Sequence, residues 1–308
     1  MNWTSAVLVL TFCTVGFLSV LGCRLTSLNL SDVAPILWPL GLLLAMFAPI
    51  PAYWHQKGDL AKRDAALTIP ACLLIVFFVP VPFLIGARLH LPLRDVVFTH
   101  MDSALGIHGS VIIEWAARHR LGHFINYTYY LLLYYMGVAI LVPSLLGKSE
   151  ARRFLLANVI ALCIGIVCFT LFPAIGPWYG EHFPATIAQQ AIQDRLLAVR
   201  QSSTYSFSLM SDGVGIVAFP SFHAIWAIFA ASALWGFRYL RIPLVLFSAL
   251  IIASTMTSGW HYFVDVFAGI VVAVLSLRVA GSMLRYSDAR TTKIEVEEPI
   301  DVLEEAAR

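Results

Sequence analysis

Charged residues are scarce in this chain. Only 12% of its 308 residues are Asp, Glu, Lys or Arg, whereas 59% are hydrophobic, and the mean hydropathy is +0.81. A soluble domain carries roughly 25% charged residues, so this composition excludes an ordinary soluble protein. It indicates a polytopic membrane protein, because several of the apolar runs are long enough to cross the hydrocarbon layer.

Two further absences narrow the range of functions. The five cysteines show no CxxC spacing and lie in or beside apolar runs, which argues against a disulfide framework or a zinc site. The net charge is only +2, and no basic stripe is interleaved with aromatic residues, so nucleic acid is not expected as a partner. Internal repeats and low-complexity segments are also absent from the sequence.

The hydrophobic residues fall into eight candidate membrane spans. They lie at 4–22, 34–50, 67–87, 123–146, 154–174, 220–236, 243–258 and 262–280. The first run lacks the basic N-terminal region of a signal peptide, so we interpret it as a retained span. The predicted fold class is therefore all-α, a polytopic transmembrane helical bundle of about six to eight spans.

The distribution of lysine and arginine predicts the orientation of the bundle. The short loops after even-numbered runs are basic, and they contain Lys57, Lys62, Arg63, Lys148, Arg152, Arg153, Arg238 and Arg241. The short loops after the first and seventh runs contain only Arg24. The positive-inside rule therefore predicts cytoplasmic termini. The sixth and eighth runs then both begin at the extracytoplasmic or luminal face.

Two short motifs place titratable side chains at the beginning of those two runs. The first motif ends in His223, and the second runs from His261 to Asp265. Ionisable groups inside an apolar membrane run are energetically costly, so their default interpretation is a functional site. At i and i+4, His261 and Asp265 share one helix face, where a carboxylate fixes the imidazole tautomer and leaves the other nitrogen free to attack. Two histidines and an aspartate supply what phosphoryl transfer through a phosphohistidine requires.

Each motif taken alone also has a purely structural interpretation. Pro220 suits the first position of a helix, and the amides that follow it, with the Ser221 hydroxyl, would then face an anion. The alternative is a capped helix with an incidental histidine. For the second motif, the alternative is a buried hydrogen-bonded pair that stiffens the bundle.

Together the motifs resemble a known family. Phe219-Pro-Ser-Phe-His223 and His261-Tyr-Phe-Val-Asp265 are similar to the second and third signature motifs of the type 2 phosphatidic acid phosphatase superfamily, which end in P-S-x-H and H-x-x-x-D. The continuation of the second motif to Gly269, and the segment Phe172-Pro-Ala-Ile-Gly-Pro-Trp-Tyr179, resemble its inositol phosphorylceramide synthase-like lipid phosphotransferase branch. The resemblance covers roughly residues 100–280.

The resemblance implies roles for individual residues and a six-helix phosphatase-type core. His261 matches the nucleophile, Asp265 its orienting acid, and His223 the general acid that later acts as base. Ser221, Trp178, Tyr179 and Tyr262 are the expected substrate-binding residues. Neither a metal nor a cofactor is expected, because positive groups and backbone amides bind the phosphate in this family.

The chain departs from the simple phosphatases at two places. Ser254 and Thr255 stand where those enzymes carry Ser-Arg, and the region around Pro177 offers no basic residue for their first motif. A phosphodiester carries less negative charge than a monoester, so it requires fewer cations. The departures therefore favour a transferase that uses phosphodiesters. Arg88, Arg195 and Arg200 are candidates to replace the missing cations.

These observations lead to one predicted function and two alternatives. We expect an integral membrane enzyme with lipid substrates, which moves a phospho-headgroup from a phospholipid to ceramide or diacylglycerol. The first alternative is a phosphatase that hydrolyses a lipid or polyprenyl phosphate, and the second is a non-enzymatic membrane protein with relic motifs. We divide the chain into N-terminal spans at 1–87, a phosphatase-like catalytic membrane domain at 88–285 and a cytoplasmic tail at 286–308.

Overall fold

The computed structural model describes residues 3–29, 34–206 and 216–306, and this part of the chain is almost entirely helical. The helices are α1 Trp3–Leu25, α2 Ala34–Phe47, α3 Pro49–Gln56, α4 Leu60–Ala66, α5 Thr68–Phe78, α6 Pro80–Arg88, α7 Asp95–Ala104, α8 Gly109–Arg118, α9 Arg120–Leu145, α10 Ser149–Leu171, α11 Pro177–Gly180, α12 Ile187–Gln201, α13 Phe222–Ala233, α14 Arg241–Thr257 and α15 Phe263–Ala306. Within the described ranges the only strands are β1 Leu28–Asn29 and β2 Tyr205–Ser206, which pair in parallel.

Six helical stretches are long and apolar enough to cross a membrane. They are Leu37–Gln56, Leu60–Arg88, Arg120–Leu145, Ser149–Leu171, Arg238–Thr257 and Phe263–Ala289. The pair α7 and α8, bent by 77°, makes a seventh if the two helices together count as one span. This architecture confirms the predicted all-α polytopic bundle.

The predicted span at 220–236 is shorter in the structure. Only α13, with 12 residues, is helical there, and at 1.5 Å per residue it is about 18 Å long, well short of the hydrocarbon thickness. The helix packs against α9, α10, α14 and α15. It is therefore a central buried helix, whose continuous apolar sequence reflects burial within the protein.

Small residues let the central helix approach its neighbours closely. Ala224, Ala227 and Ala230 of α13 are fully buried. A Cβ atom added to Gly269 of α15 would lie 2.5 Å from the carbonyl oxygen of Ser221, so only glycine fits at that contact. Close packing through small residues is the usual way in which helices associate in membranes.

Two arginines, the buried Arg88 and the partly exposed Arg200, hold the segment after α12 against α6. The Arg88 guanidinium donates to the backbone carbonyls of Thr26, Val199, Ser202 and Ser203. Arg200 in turn donates to the carbonyls of Ala87 and Leu91, at 3.3 and 2.7 Å. Because both guanidinium groups are engaged with the backbone, the structure gives no support to their predicted use as phosphate ligands.

Candidate active site

The two motifs meet at one end of the bundle. The Ser221 amide, at the start of α13, donates to the carbonyl oxygen of Asp265 at 3.0 Å. The imidazole rings of His223 and His261 face each other with their centroids 5.7 Å apart and their planes inclined at 59°. All three predicted catalytic side chains are thus brought together, although 38 residues separate the two histidines.

The start of α13 differs from the sequence prediction. The helix begins at Phe222, and Ser221 is its N-cap, with its hydroxyl accepting a hydrogen bond from the Ala224 amide at 3.4 Å. Pro220 therefore precedes the helix, because the extended backbone of Ser221 separates the two. The amides of Phe222 and His223 stand in the first turn, where a helix offers no internal acceptor. Such amides can bind an anion.

His261 and Asp265 lie side by side in a dry environment. Their Nδ1 and Oδ2 atoms are 3.5 Å apart, and the side chains are 5% and 0% exposed. The Asp265 Oδ2 atom also accepts a hydrogen bond from the Tyr262 amide at 3.0 Å. The His261 Nδ1 atom has no partner within hydrogen-bonding geometry. This ring orientation leaves the Nε2 atom on the side of the ring away from Asp265.

The loop that carries His261 is held from two sides. Asp102 of α7 accepts hydrogen bonds from the amides of Phe263 and Val264, at 2.7 and 3.0 Å. The carboxamide of Gln189 in α12 donates to the carbonyls of Ser258 and Gly259, at 3.2 Å each. Carboxylates therefore already satisfy the first amides of α15. Of the two helix ends at this site, the end of α13 has free amides for a phosphate.

A second buried carboxylate orders the segment before Trp178. Asp95 accepts hydrogen bonds from the amides of Ile175 and Gly176, the latter at 2.8 Å. The Tyr262 hydroxyl lies 2.9 Å from the Gly176 carbonyl oxygen and 3.2 Å from Asp95 Oδ1. Tyr262 is only 1% exposed, so its polar group links α15 to this segment.

The four predicted substrate contacts differ in accessibility. Ser221, Tyr262 and Trp178 are nearly or fully buried, whereas Tyr179 is 37% exposed. The Trp178 indole nitrogen donates to Gln193 Oε1 at 3.0 Å. Tyr179 is therefore the residue of the four with a substantial accessible surface, and the other three lie in the walls of the site.

A shallow cleft that encloses essentially no free volume lies beside the His261 ring. It is lined by Asp102, Ile107, Gly109, Ile113, Pro177, Glu181, Met256, Gly259, His261, Tyr262 and Phe263. These residues include two carboxylates and no lysine or arginine. Within the described parts of the chain, no group of three His, Cys, Asp or Glu side chains is placed to hold a metal ion.

Ser254 and Thr255 are fully buried at the positions where simple phosphatases carry Ser-Arg. Their hydroxyls donate to the carbonyls of Ile251 and Ile252 in their own helix, at 2.6 and 2.7 Å. The Thr255 carbonyl accepts hydrogen bonds from the amides of Trp260 and His261. Thr255 therefore supports the loop that carries His261 through its backbone carbonyl.

Four residues of the site were not expected from the sequence. Asp95 and Asp102 are seven residues apart on one face of α7, and two carboxylates on a shared helix face in this apolar chain could have indicated them. Gln189 carries no such signal. Tyr129 lies in a tyrosine-rich run at 127–135, a pattern typical of an aromatic belt at the membrane interface, but its ring stacks on that of His223 at a centroid distance of 4.2 Å.

Comparisons with known proteins agree with the motifs. A family model described as the PAP2 superfamily matches residues 96–279. A segment of 154 residues is 30% identical to the inositol phosphorylceramide synthase catalytic subunit of Schizosaccharomyces pombe. This alignment covers 47% of the chain and 35% of that protein, so the chain matches about a third of the length of its curated relative. No solved structure matches the chain.

Proposed function

We propose, because the chain belongs to the PAP2 superfamily, that its site moves a phospho-headgroup between lipids through a phosphohistidine. The protein is an integral membrane enzyme that acts on lipid phosphate groups. The observation that carries the finer proposal is the arrangement of the two histidines. Their rings face each other, and Asp265 lies beside the Nδ1 atom of His261.

The first step breaks the bond between phosphorus and the donor lipid. The His261 Nε2 atom attacks the phosphorus of a phospholipid, so a P–N bond forms while the P–O bond to diacylglycerol breaks. His223 gives its proton to the leaving oxygen, as a general acid. Asp265 stabilises the positive charge that develops on the His261 ring.

The second step reverses the proton transfer. The hydroxyl of a lipid alcohol gives its proton to His223 and attacks the phosphorus, and the P–N bond breaks. His261 is thereby restored, and the phospho-headgroup is attached to the acceptor. We propose ceramide or diacylglycerol as acceptor, consistent with the name of the yeast relative.

The proposed phosphate site is the N-terminus of α13. The free amides of Phe222 and His223 would hold the phosphoryl oxygens. Ser221 contributes as the cap of that helix, whereas Trp178 and Tyr262 form buried walls. Tyr179, the most exposed of the four predicted contacts, is the proposed direct contact with the substrate.

The charge of the cleft favours a phosphodiester donor. No lysine or arginine is among the residues that line it, and the place of the phosphatase arginine is taken by buried Thr255. A dianionic monoester would lack a cation there, whereas a monoanionic diester needs fewer positive groups. This argument supports transfer over hydrolysis of a lipid monophosphate. The family match and the yeast relative contradict the hypothesis of a non-enzymatic protein.

Headgroup-labelled phosphatidylinositol tests this function directly. We expect the purified protein, in vesicles, to move the label to added ceramide or diacylglycerol faster than it releases phosphate from phosphatidic acid. Chromatography of the labelled lipids measures both rates. The His223→Asn variant is the control for label transfer by contaminating enzymes. Faster release of phosphate from phosphatidic acid or a polyprenyl phosphate than transfer to either alcohol would make the hydrolase correct.

We also propose that the site faces the extracytoplasmic or luminal side and that both termini are cytoplasmic. In a cysteine-free background, we expect Gln190→Cys in α12 to react with a membrane-impermeant maleimide added to intact cells. Ser149→Cys, at the opposite end of the bundle, should react only after permeabilisation. Both side chains are exposed, so the comparison reports on the membrane. Labelling of Ser149→Cys alone in intact cells would invert the orientation.

A further inference from the structure

A column of aromatic rings stands behind His223. Tyr129 of α9 stacks on the His223 imidazole with a centroid distance of 4.2 Å and an interplanar angle of 20°. The ring of Trp260 is nearly parallel to that of Tyr129 at 5.8 Å. Trp178 meets Trp260 edge-on at 5.6 Å. The His223 ring is thus adjacent both to Tyr129 and to His261.

Tyr129 differs from the other tyrosines around it. Tyr127, Tyr130 and Tyr134 are 62%, 68% and 73% exposed, as expected for side chains that face lipid. Tyr129 is only partly exposed and turns toward the interior of the bundle. An aromatic belt at the membrane interface accounts for the first three tyrosines and leaves the position of Tyr129 unexplained.

The His223 ring has no hydrogen bond to another described residue. A ring held by one or two hydrogen bonds has its orientation fixed by them, whereas here the flat face of Tyr129 is the close contact that limits rotation. The same face carries the negative part of the ring quadrupole, which attracts a cation placed above it. The contact is therefore suited both to orient His223 and to favour its protonated form.

We infer that Tyr129 is a positioning residue, which holds the His223 ring toward His261 and stabilises the imidazolium that serves as general acid. This inference rests on the proposed function, because it assigns Tyr129 to the proton-transfer half of that reaction. Tyr129 acts through His223 and does not itself touch the phosphorus. Its hydroxyl is not required for either effect, since both depend on the ring face.

The test compares two donors that differ in their need for a general acid. Phosphatidylinositol has a poor alkoxide leaving group, whereas in p-nitrophenyl phosphoinositol the leaving group departs without a proton. We expect Tyr129→Leu to lower kcat for phosphatidylinositol by about 10- to 100-fold, a part of what general acid catalysis supplies. The KM and the rate constant of the p-nitrophenolate burst should change by less than about 3-fold, since the burst reports only the first step.

Three further variants complete the experiment. Tyr129→Phe should recover most of the lost rate, because it keeps the ring face, and Tyr134→Leu is the control for loss of an exposed tyrosine. His223→Asn should show the same selective loss as Tyr129→Leu, but a larger one. The burst amplitude counts folded, active molecules, so a folding defect lowers the amplitude for every substrate and is separated from a loss of rate.

The contrary outcomes are distinguishable. In one contrary outcome, His223→Asn lowers the rate with phosphatidylinositol selectively, but Tyr129→Leu lowers the rates with both donors equally or lowers neither rate. The proposed role of Tyr129 is then wrong, and the proposed function stands. Failure of Tyr129→Phe to recover the rate would also overturn the role of the ring face. If His223→Asn itself shows no dependence on the leaving group, or the wild-type protein uses neither donor, the proposed function is overturned together with this inference.

Discussion

Replacing His261 with alanine is expected to lower the rate of headgroup transfer by at least about 10,000-fold, since removal of a nucleophile that acts as a unit with its partners commonly has an effect of this size or larger. The alanine variant cannot form the P–N bond. It leaves the carboxylate of Asp265 buried beside a small cavity, while the amide of Tyr262 continues to donate to that carboxylate. Transfer assays with labelled phosphatidylinositol measure the loss.

Covalent labelling of the protein gives a second measurement for the same substitution. Wild-type protein incubated with donor labelled at phosphorus, without acceptor, should retain label that is stable to base and lost in acid, as expected for a phosphohistidine. His261→Ala should retain none. His123→Ala, which removes an exposed histidine of α9, is the control and should keep both label and activity. Near wild-type transfer by His261→Ala in folded protein would rule out the mechanism.

Asp265→Asn is expected to reduce kcat by about 1,000- to 10,000-fold, by analogy with the orienting carboxylate of other catalytic triads. Asparagine fits the space, and its carbonyl oxygen can take the place of Oδ2, which both the Tyr262 amide and the His261 Nδ1 atom approach. However, the amide carries no negative charge, so it cannot stabilise the positive charge that develops on the His261 ring.

The measurement for Asp265→Asn is the rate of label transfer in protein whose thermal unfolding has been checked. Asp194→Asn, an exposed residue of α12, is the matched control for loss of one carboxylate and should transfer at the wild-type rate. Stability should fall only slightly, because the side-chain volume is unchanged. If Asp265→Asn retains more than a tenth of wild-type activity, the negative charge of the carboxylate is not required and Asp265 has a packing role.

The membrane class and the three candidate catalytic residues could be predicted from local patterns. Low charge and long apolar runs define the bundle, and the i, i+4 spacing of His261 and Asp265 places them on one helix face. The length of α13 could not be predicted, because an apolar sequence buried inside a bundle looks the same as one that faces lipid. The N-cap at Ser221 was missed because Pro220 is an equally good signal for a helix start one or two residues earlier.

The supporting residues of the site depend on contacts between distant parts of the chain. Asp102 binds amides that follow it by 161 and 162 residues, and Tyr262 approaches Asp95 across 167 residues. Such pairings depend on how the helices pack, and a single sequence carries no periodic signal for them. The tyrosine-rich sequence around Tyr129 favours an aromatic belt over a place in the site, and only the packing of α9 beside α13 brings its ring to His223.

The hydrogen bonds to Asp102 that hold the His261 loop have a consequence for the biogenesis of the protein. Membrane helices are made in order, from the N-terminus onward, and the amides that Asp102 binds belong to α15, the last helix that the structure describes. The unfinished chain therefore carries His223 in its central helix before His261 has a fixed place. The reactive centre is completed only when α15 docks, so a chain truncated before that helix should insert in the membrane and remain inert.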